Sequence, residues 1–186
     1  MKTMVYVLLA DGFEEIEALA PVDFLRRAEI PVTTVSLTGK IVCGAHGISV
    51  TADADLKDLD FSDADGIVLP GGMPGATHLD QCPQMTEILS SVYNRGGILS
   101  AICAAPLVLG KRGYLQNKEA TCYPGFEENL IGARLSSRPV VCDGRIITAK
   151  SAAYAWEFAS SIAEAFAGKD RCQSVRSALF LPPFGG

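Results

Sequence analysis

One cysteine, Cys103, separates the apolar run GILSAI (97–102) from the stretch APLVLGKR (105–112). If the first stretch is a strand and the second begins a helix, Cys103 occupies a strand-to-helix elbow, where hydrolases expose a nucleophile above a sheet. Backbone N–H groups at a helix N-terminus favour a thiolate, so this position predicts a reactive thiol with a lowered pKa. The alternative is a cysteine that only fills space in the core, which is our interpretation of the other five cysteines.

Three glutamates, Glu14, Glu15 and Glu17, lie in the stretch ADGFEEIE (10–17), where a helix is expected to begin after the first apolar run. For Glu14 and Glu15 we favour complementation of the helix dipole, since acidic residues stabilise the first turn of a helix. Glu17 lies one turn further in, between Ile16 and Ala18. This position predicts a buried carboxyl group that points toward the strand ends and has a raised pKa.

A glycine pair, Gly71 and Gly72, ends the apolar run within LPGGMPGA (69–76). Such glycines let a substrate approach the backbone closely and let an amide N–H point at a developing oxyanion. A tight turn without a ligand explains the pair almost as well. The motif lacks the spacing of a dinucleotide-binding or phosphate-binding loop.

Short apolar runs alternate with helical patterns, which predicts an α/β fold with a mainly parallel sheet covered on both faces. The predicted strands are MVYVLLA (4–10), VTTVSL (32–37), GIVLP (66–70) and GILSAI (97–102). In an open α/β sheet, sites form outside the carboxyl ends of the strands. The cysteine, the carboxylates and the glycines all follow such predicted ends.

The first helix is predicted over residues 14–28, with a kink or an early break at Pro21. Further helices are predicted over 83–96, 105–113 and 152–168, with glycine C-caps at Gly96, Gly113 and Gly168. Two hairpins, 40–52 and 139–149, are expected to add antiparallel strands to the sheet. The second turns at Asp143-Gly144, a strong two-residue turn signal. The tail LFLPPFGG (179–186) is expected to pack on the body or on a second subunit.

Composition excludes several classes of protein. The chain has 186 residues, of which 48% are hydrophobic and 20% charged, and a net charge of −5, which predicts a single soluble domain without affinity for nucleic acid. The first apolar run is too short for a signal peptide and lacks a cleavage site, so we expect a cytoplasmic protein that does not associate with membranes. Six scattered cysteines and two histidines predict neither a zinc site nor a disulfide framework.

Three motifs in the same order, LADGFEEIEALAPVDFLRRA, GIVLPGGMPGATHL and LSAICAAPLVL, resemble the ThiJ/PfpI superfamily, in particular a bacterial-type member of its DJ-one branch. The resemblance extends through nearly the whole chain. It implies a flavodoxin-like three-layer sandwich, usually a homodimer, with a nucleophilic and easily oxidised cysteine. By position, Cys103 matches that cysteine, and Glu17 matches the protonated glutamate that hydrogen-bonds it. Gly72 and Ala104 match the amides that hold an oxyanion. Two further residues match family positions near the site and the dimer surface, Glu14 and Arg27.

The sequence departs from family patterns in two places. Ala104 stands where the protease-like branch has a histidine, so no Cys-His dyad is encoded there. Tyr123, in TCYPGF, occupies the place of a histidine found in many members that act on glyoxals or glycated groups. Both histidines of this chain precede Cys103. His46, in the first predicted hairpin, could reach a site across a dimer interface.

The resemblance implies a cofactor-free glyoxalase or deglycase that acts on reactive dicarbonyls or on their adducts, with Cys103 as nucleophile and Glu17 as general acid and base. An alternative is an oxidative-stress sensor or chaperone in which Cys103 is oxidised to a sulfinate. A glutaminase or peptidase ranks third, because it would need a histidine downstream of Cys103.

Overall fold

A seven-stranded sheet forms the centre of the protein in the computed structural model, which describes residues 3–182. The strands are β1 (Val5–Leu9), β2 (Val32–Ser36), β3 (Ile41–Cys43), β4 (Ser49–Thr51), β5 (Ala54–Asp55), β6 (Gly66–Leu69), β7 (Ile98–Ile102), β8 (Glu119–Ala120), β9 (Arg134–Leu135), β10 (Val140–Asp143) and β11 (Ile146–Ala149). The helices are α1 (Glu15–Arg27), α2 (Gly75–Gln81), α3 (Met85–Asn94), α4 (Pro106–Lys111) and α5 (Ala155–Ala178).

The central sheet has the order β10-β11-β7-β6-β1-β2-β5, and every pair in it is parallel except β10-β11. From β1 the chain continues to β2 on one side, whereas from β6 it continues to β7 on the other side. The carboxyl ends of β1 and β6 therefore flank a topological switch point, where open α/β sheets bind ligands. This topology confirms the predicted α/β class.

Two apolar layers cover the sheet. One layer contains the buried faces of α1 and α5, and the other contains those of α2, α3 and α4. Within β1, Tyr6 and Leu8 pack into the second layer while Val5, Val7 and Leu9 pack into the first. Strands buried on both faces explain why these segments are continuous apolar runs rather than alternating ones.

The two predicted hairpins have different positions. The 139–149 hairpin is β10-β11, which joins the main sheet through the parallel pair β11-β7. The prediction that the 40–52 hairpin joins the same sheet is wrong, since β3 and β4 form a separate two-stranded sheet. Its backbone groups bond instead to the segment after β1: Gly12 N donates to Cys43 O over 2.8 Å, and Ala45 N donates to Phe13 O over 2.8 Å.

Helix α1 continues through Pro21, so the predicted break is absent there. Proline removes one helical hydrogen bond, but Ala18, Phe24 and Leu25 on both sides of it are fully buried against the sheet. Burial of this face holds the helix together across the proline.

All three predicted glycine caps lie where a helical segment ends. Gly96 and Gly113 follow α3 and α4 with φ values of 95° and 80°, the left-handed conformation that glycine adopts after a helix. Gly168 has a φ of 79° and a ψ of 168°, which are not helical, so the helical segment that begins at Ala155 ends there as predicted. A second helical segment, which was not predicted, follows Gly168 and extends to Ala178, and its Arg171 Nε donates to Ala28 O over 3.2 Å.

The described part of the tail, residues 179–182, folds back on α5. Leu181 N donates to Arg176 O over 3.1 Å, and the buried Arg176 guanidinium donates to Ser160 Oγ over 2.8 Å and to Pro182 O. Residues 183–186 of the tail lie outside the described residues. Within residues 3–182, no helix is both long and apolar enough to span a membrane.

Candidate functional site

Cys103 lies at the turn between β7 and α4, as the strand-to-helix pattern predicts. Its φ is 62°, a left-handed conformation that is strained for a residue with a side chain. Hydrogen bonds hold both sides of the peptide backbone: Cys103 N donates to Ala149 O over 2.9 Å, and Tyr123 N donates to Cys103 O over 2.8 Å. The surrounding strands and the 121–126 loop thus fix the direction of the thiol.

Glu17 lies in the first turn of α1 with 1% of its surface exposed. Gly71 N donates to its Oε2 over 2.9 Å, and the carboxyl group also hydrogen-bonds the Cys103 thiol. Burial raises the pKa of Glu17 to about 7, and the Glu14 carboxylate adds to the rise, while the hydrogen bonds oppose it. The raised pKa agrees with the expectation from the sequence.

The pKa of Cys103 is raised to about 12, which contradicts the lowered value expected from the sequence. Burial is the main cause, and the negative charge of Glu17 adds to it. Two backbone groups, those of Gly72 and Ala104, hydrogen-bond the sulfur and lower its pKa, but α4 is only six residues long and cannot offset the adjacent carboxylate. A thiol beside an ionised carboxylate keeps its proton, so near neutral pH Cys103 is a thiol and the hydrogen-bonded Glu17 carboxyl is the group placed to accept its proton.

The absence of side chains at Gly71 and Gly72 lets the end of β6 approach Cys103 and Glu17 closely. A Cβ atom on Gly71 would lie 2.6 Å from the Cβ of Cys103 and 2.6 Å from Oε2 of Glu17. Gly72 has a φ of +86°, and a Cβ there would lie 2.4 Å from the backbone nitrogen of Glu14. The glycine pair therefore does more than form a turn, because no side chain fits between the strand end and the thiol.

The accessory residues expected from the sequence lie at different distances from the thiol. Glu14 caps α1, its Oε2 accepting the Glu17 N–H over 2.7 Å, and so holds the turn that carries Glu17. Tyr123 contacts Cys103 through its backbone, while its side chain is 47% exposed. Arg27 lies at the far end of α1, roughly 15 Å along the helix from Glu17, and pairs with Asp23 over 2.8 Å. The fold of one chain does not bring Arg27 to its own thiol.

Glu15 and His46 form an ion pair that sequence reasoning missed. Glu15 is 3% exposed, its Oε2 lies 2.7 Å from His46 Nδ1, and its Oε1 accepts the His46 backbone N–H over 2.8 Å. Glu15 therefore holds the loop of the β3-β4 hairpin against α1, a role in addition to the expected complementation of the helix dipole. This pairing also brings one ligand atom each of Glu14, Glu15 and His46 within 4.8 Å of one another.

We expect replacement of His46 by glutamine to lower stability most between about pH 4.5 and 6.5. The hydrogen bond and charge of Glu15 raise the pKa of His46 above its usual 6.5, so its contribution is full below pH 6.5 and is lost as pH rises through the raised value. Hydrogen bonds from His46 lower the pKa of Glu15 below 4.5, so the contribution is also lost in stronger acid. Urea unfolding of both proteins at pH 5.5 and pH 9 measures the effect, and equal differences at the two pH values would contradict it.

Known proteins show the same architecture. Protein dj-1beta of Drosophila melanogaster is 36% identical over 184 residues, covering 97% of this chain and 98% of the relative. Its crystal structure superposes with a TM-score of 0.92 at 35% identity, covering 98% of this chain and 100% of that one. This likeness confirms the flavodoxin-like fold. A structure described as Toxoplasma gondii DJ-1, oxidized, superposes with a TM-score of 0.92 at 31% identity, covering 96% and 98% of the two chains.

A Caenorhabditis elegans relative named glutathione-independent glyoxalase DJR-1.2 is 32% identical over 182 residues, covering 97% of each chain. Two Arabidopsis thaliana DJ-1 homologues also match, and this chain spans 47% and 42% of their lengths. These relatives are eukaryotic, so the bacterial-type assignment stays a prediction. The pattern of the DJ-1/PfpI family matches residues 3–165. With these similarities over nearly its whole length, the chain belongs to the DJ-1/PfpI family.

Proposed function

We propose that the protein is a cofactor-free glyoxalase or deglycase that acts on small reactive dicarbonyls or on the adducts they leave on other molecules. The observation that carries this proposal is the hydrogen-bonded pair of Cys103 and Glu17, beside the backbone donors of Gly72 and Ala104. A carboxyl with a pKa of about 7 is suited to both accept and donate a proton near neutral pH. A relative named as a glyoxalase supports the same chemistry.

The proposed reaction with methylglyoxal begins when Glu17 accepts the Cys103 proton as sulfur bonds to the aldehyde carbon. The Gly72 and Ala104 amides hold the oxyanion, which then takes the proton from Glu17 to give a hemithioacetal. Glu17 next removes the proton from the aldehyde-derived carbon, and the electron pair moves toward the ketone oxygen to give an enediol. Glu17 returns the proton to the neighbouring carbon while the hydroxyl proton passes to the former ketone oxygen, which leaves the thioester of lactate. Water hydrolyses the thioester to lactate and restores the thiol.

The reaction is expected to be slow. Tyr123 replaces a histidine of many relatives that act on glyoxals, so Glu17 carries the proton transfers without an imidazole. A missing general acid or base typically lowers a rate by ~10²–10⁴.

A second candidate function is an oxidative-stress sensor. Two equivalents of hydrogen peroxide would convert the Cys103 thiol to a sulfinic acid and release two waters. The Gly72 and Ala104 amides would bind the sulfinate oxygens, and a protonated Glu17 would donate a hydrogen bond to them. The oxidized T. gondii structure favours this candidate. A peptidase or glutaminase is disfavoured, because no histidine follows Cys103.

We also propose a homodimer of single-domain subunits in the cytoplasm, where all six thiols would stay reduced. One surface of the chain supports a dimer: Ile16 of α1 is 53% exposed, and Ile41 and Ile48 of the hairpin are 69% and 56% exposed. Large apolar side chains exposed together are typical of an interface. Arg27 and His46 would then be available to the site of a second copy.

The two functions are distinguished by incubating the native protein and its Cys103→Ser variant with methylglyoxal and, separately, with hydrogen peroxide. The enzyme predicts many equivalents of lactate per chain from the native protein and none from the variant. A sensor predicts a stoichiometric mass gain of two oxygens at Cys103 and no lactate. Lactate production that persists in the variant would contradict a role for this thiol.

A further inference from the structure

A cleft of about 400 Å³ opens at the carboxyl ends of β1 and β2, beneath the end of α2. This volume is typical of a site for a small molecule. The cleft includes neither Cys103 nor Glu17, so the proposed function does not account for it. Its lining residues carry a carboxylate, a thiol, an imidazole, an ammonium group, a hydroxyl group and two amides. The residues concerned are Asp11, Thr38, Lys57, His78, Gln81, Cys82 and Gln84.

The imidazole of His78 is held in one orientation by the chain after β1. Its Nδ1 lies 2.9 Å from the carbonyl oxygen of Asp11. A carbonyl oxygen only accepts hydrogen bonds, so Nδ1 is the donor. The neutral ring then carries its lone pair on Nε2, which makes His78 a base oriented by a third group, as in catalytic triads.

The thiol of Cys82 follows His78 by four residues and caps the C-terminus of α2. Residues at this spacing are neighbours on one face of a helix, and both side chains line the cleft. Cys82 is half-buried, and its thiol donates a weak hydrogen bond to Oε1 of Gln84 over 3.4 Å. Reaction therefore requires the thiol to turn from Gln84 toward His78.

We propose that this cleft is a second covalent site, in which Cys82 adds to small α,β-unsaturated carbonyl compounds with His78 as the base. His78 Nε2 takes the thiol proton as sulfur bonds to the β-carbon, and the electron pair of the double bond moves to the carbonyl oxygen. The imidazolium then returns the proton to the α-carbon. The thiol has added across the double bond, and the step needs no oxidant or reductant.

The rest of the lining suits such a compound. The Thr38 hydroxyl and the Lys57 ammonium are donors for the carbonyl oxygen, on which negative charge develops during the addition. Lys57 also pairs with the buried Asp55 over 3.3 Å, and Asp11 adds a carboxylate to the lining, so the cleft disfavours an anionic ligand and suits an uncharged one. The apolar side chains of Leu37 and Leu56 line the cleft beside the hydrocarbon part.

The test uses the full chain with Cys103→Ser, which removes the first site and makes the result independent of the proposed function. N-ethylmaleimide, an uncharged α,β-unsaturated carbonyl, is added at pH 7, and the rate of Cys82 labelling is followed by peptide mass spectrometry. The same rate is measured with His78→Asn. Asparagine keeps an N–H group in place of Nδ1 for the Asp11 carbonyl but has no counterpart of Nε2. N-acetylcysteine is the reference for a thiol without a base.

We expect Cys82 to react faster than N-acetylcysteine although it is half-buried, and His78→Asn to slow it by at least about tenfold. This factor is below the ~10²–10⁴ of a fully positioned base because the thiol must first leave Gln84. Cys43, exposed on β3, should label equally in both proteins and so controls for a change of fold. A Cys82 rate at or below that of N-acetylcysteine overturns the proposal, as does a fast rate that His78→Asn leaves unchanged. The comparison of Cys82 with N-acetylcysteine does not depend on whether the His78→Asn variant folds.

Discussion

The Glu17→Gln variant is expected to lose lactate formation by ~10²–10⁴ while its thiol becomes more reactive toward an alkylating agent. Glutamine retains an oxygen for the Gly71 N–H but cannot carry the proton between carbons. It also removes the negative charge that helps to raise the pKa of Cys103, so the thiolate forms at lower pH. Opposite changes of turnover and alkylation rate would separate a role in proton transfer from simple damage to the site.

One control variant accompanies this experiment. Glu87→Gln replaces an exposed glutamate of α3 and should keep the native rate. Parallel loss of turnover and of alkylation in Glu17→Gln would instead indicate a collapsed elbow, and an unchanged turnover would remove Glu17 from the mechanism.

Glu17→Gln is also expected to change how the free energy of unfolding depends on pH. Burial raises the pKa of Glu17 from 4.5 to about 7, so between these values the folded chain binds more protons than the unfolded chain. Stability of the native protein therefore falls across this window, by about 3 kcal/mol in total. Glutamine does not titrate, so the free energy of unfolding of the variant should rise relative to that of the native protein from pH 4.5 to pH 7. Urea unfolding at several pH values measures this difference. A difference that does not change with pH would contradict the raised pKa.

The second large effect is expected from Gly72→Ala. A Cβ there would lie 2.4 Å from the Glu14 nitrogen and 2.5 Å from the Gly12 oxygen, so backbone atoms must move. The positive φ itself costs about 1–2 kcal/mol for alanine, and the forced shift adds roughly 1–3 kcal/mol. The shift also moves the Gly72 N–H away from the sulfur, and loss of one oxyanion donor typically lowers kcat by ~10²–10³.

Gly113→Ala is the matched control for Gly72→Ala. Gly113 has a similar φ of +80°, but among residues 3–182 no atom beyond its immediate chain neighbours lies within 4 Å of the place that an added Cβ would occupy. We expect its free energy of unfolding to fall by the strain alone, about 1–2 kcal/mol, and lactate formation to continue. Equal losses of stability in the two variants would show that the close approach of Glu14 and Gly12 is relieved without cost.

The sequence was sufficient to predict the elements with strong local signals. The apolar runs correspond to β1, β2, β6 and β7, and the strand-to-helix position of Cys103 follows from two of the elements. Glycine signals for helix ends were right at Gly96, Gly113 and Gly168, because the C-cap conformation is decided locally. Helix α2 escaped prediction, since it begins in the glycine- and proline-rich stretch after β6 and is only seven residues long.

Features that depend on distant partners could not be read from the sequence. The ion pair of Glu15 and His46 joins residues 31 positions apart, and β3-β4 leaves the main sheet because its partners follow β1. Beyond Gly168, the helix is held by contacts of Arg171 with the end of α1. The direction of the Cys103 pKa shift was mispredicted for the same reason. A helix N-terminus is a local signal, whereas the opposing burial and the Glu17 charge arise only in the folded chain.

The hydrogen bond between Gly71 and Glu17 joins residues 54 positions apart, and Cys103 comes from a third segment further along the chain. Contacts between segments so distant in sequence require long loops to close, which makes them slow to form during folding. Until β1, β6 and β7 are paired side by side, Glu17 and Cys103 are not hydrogen-bonded to each other, and the Glu17 carboxyl is not buried. The chemistry of this protein therefore appears only with the completed sheet, and no nascent or partly folded chain can carry it.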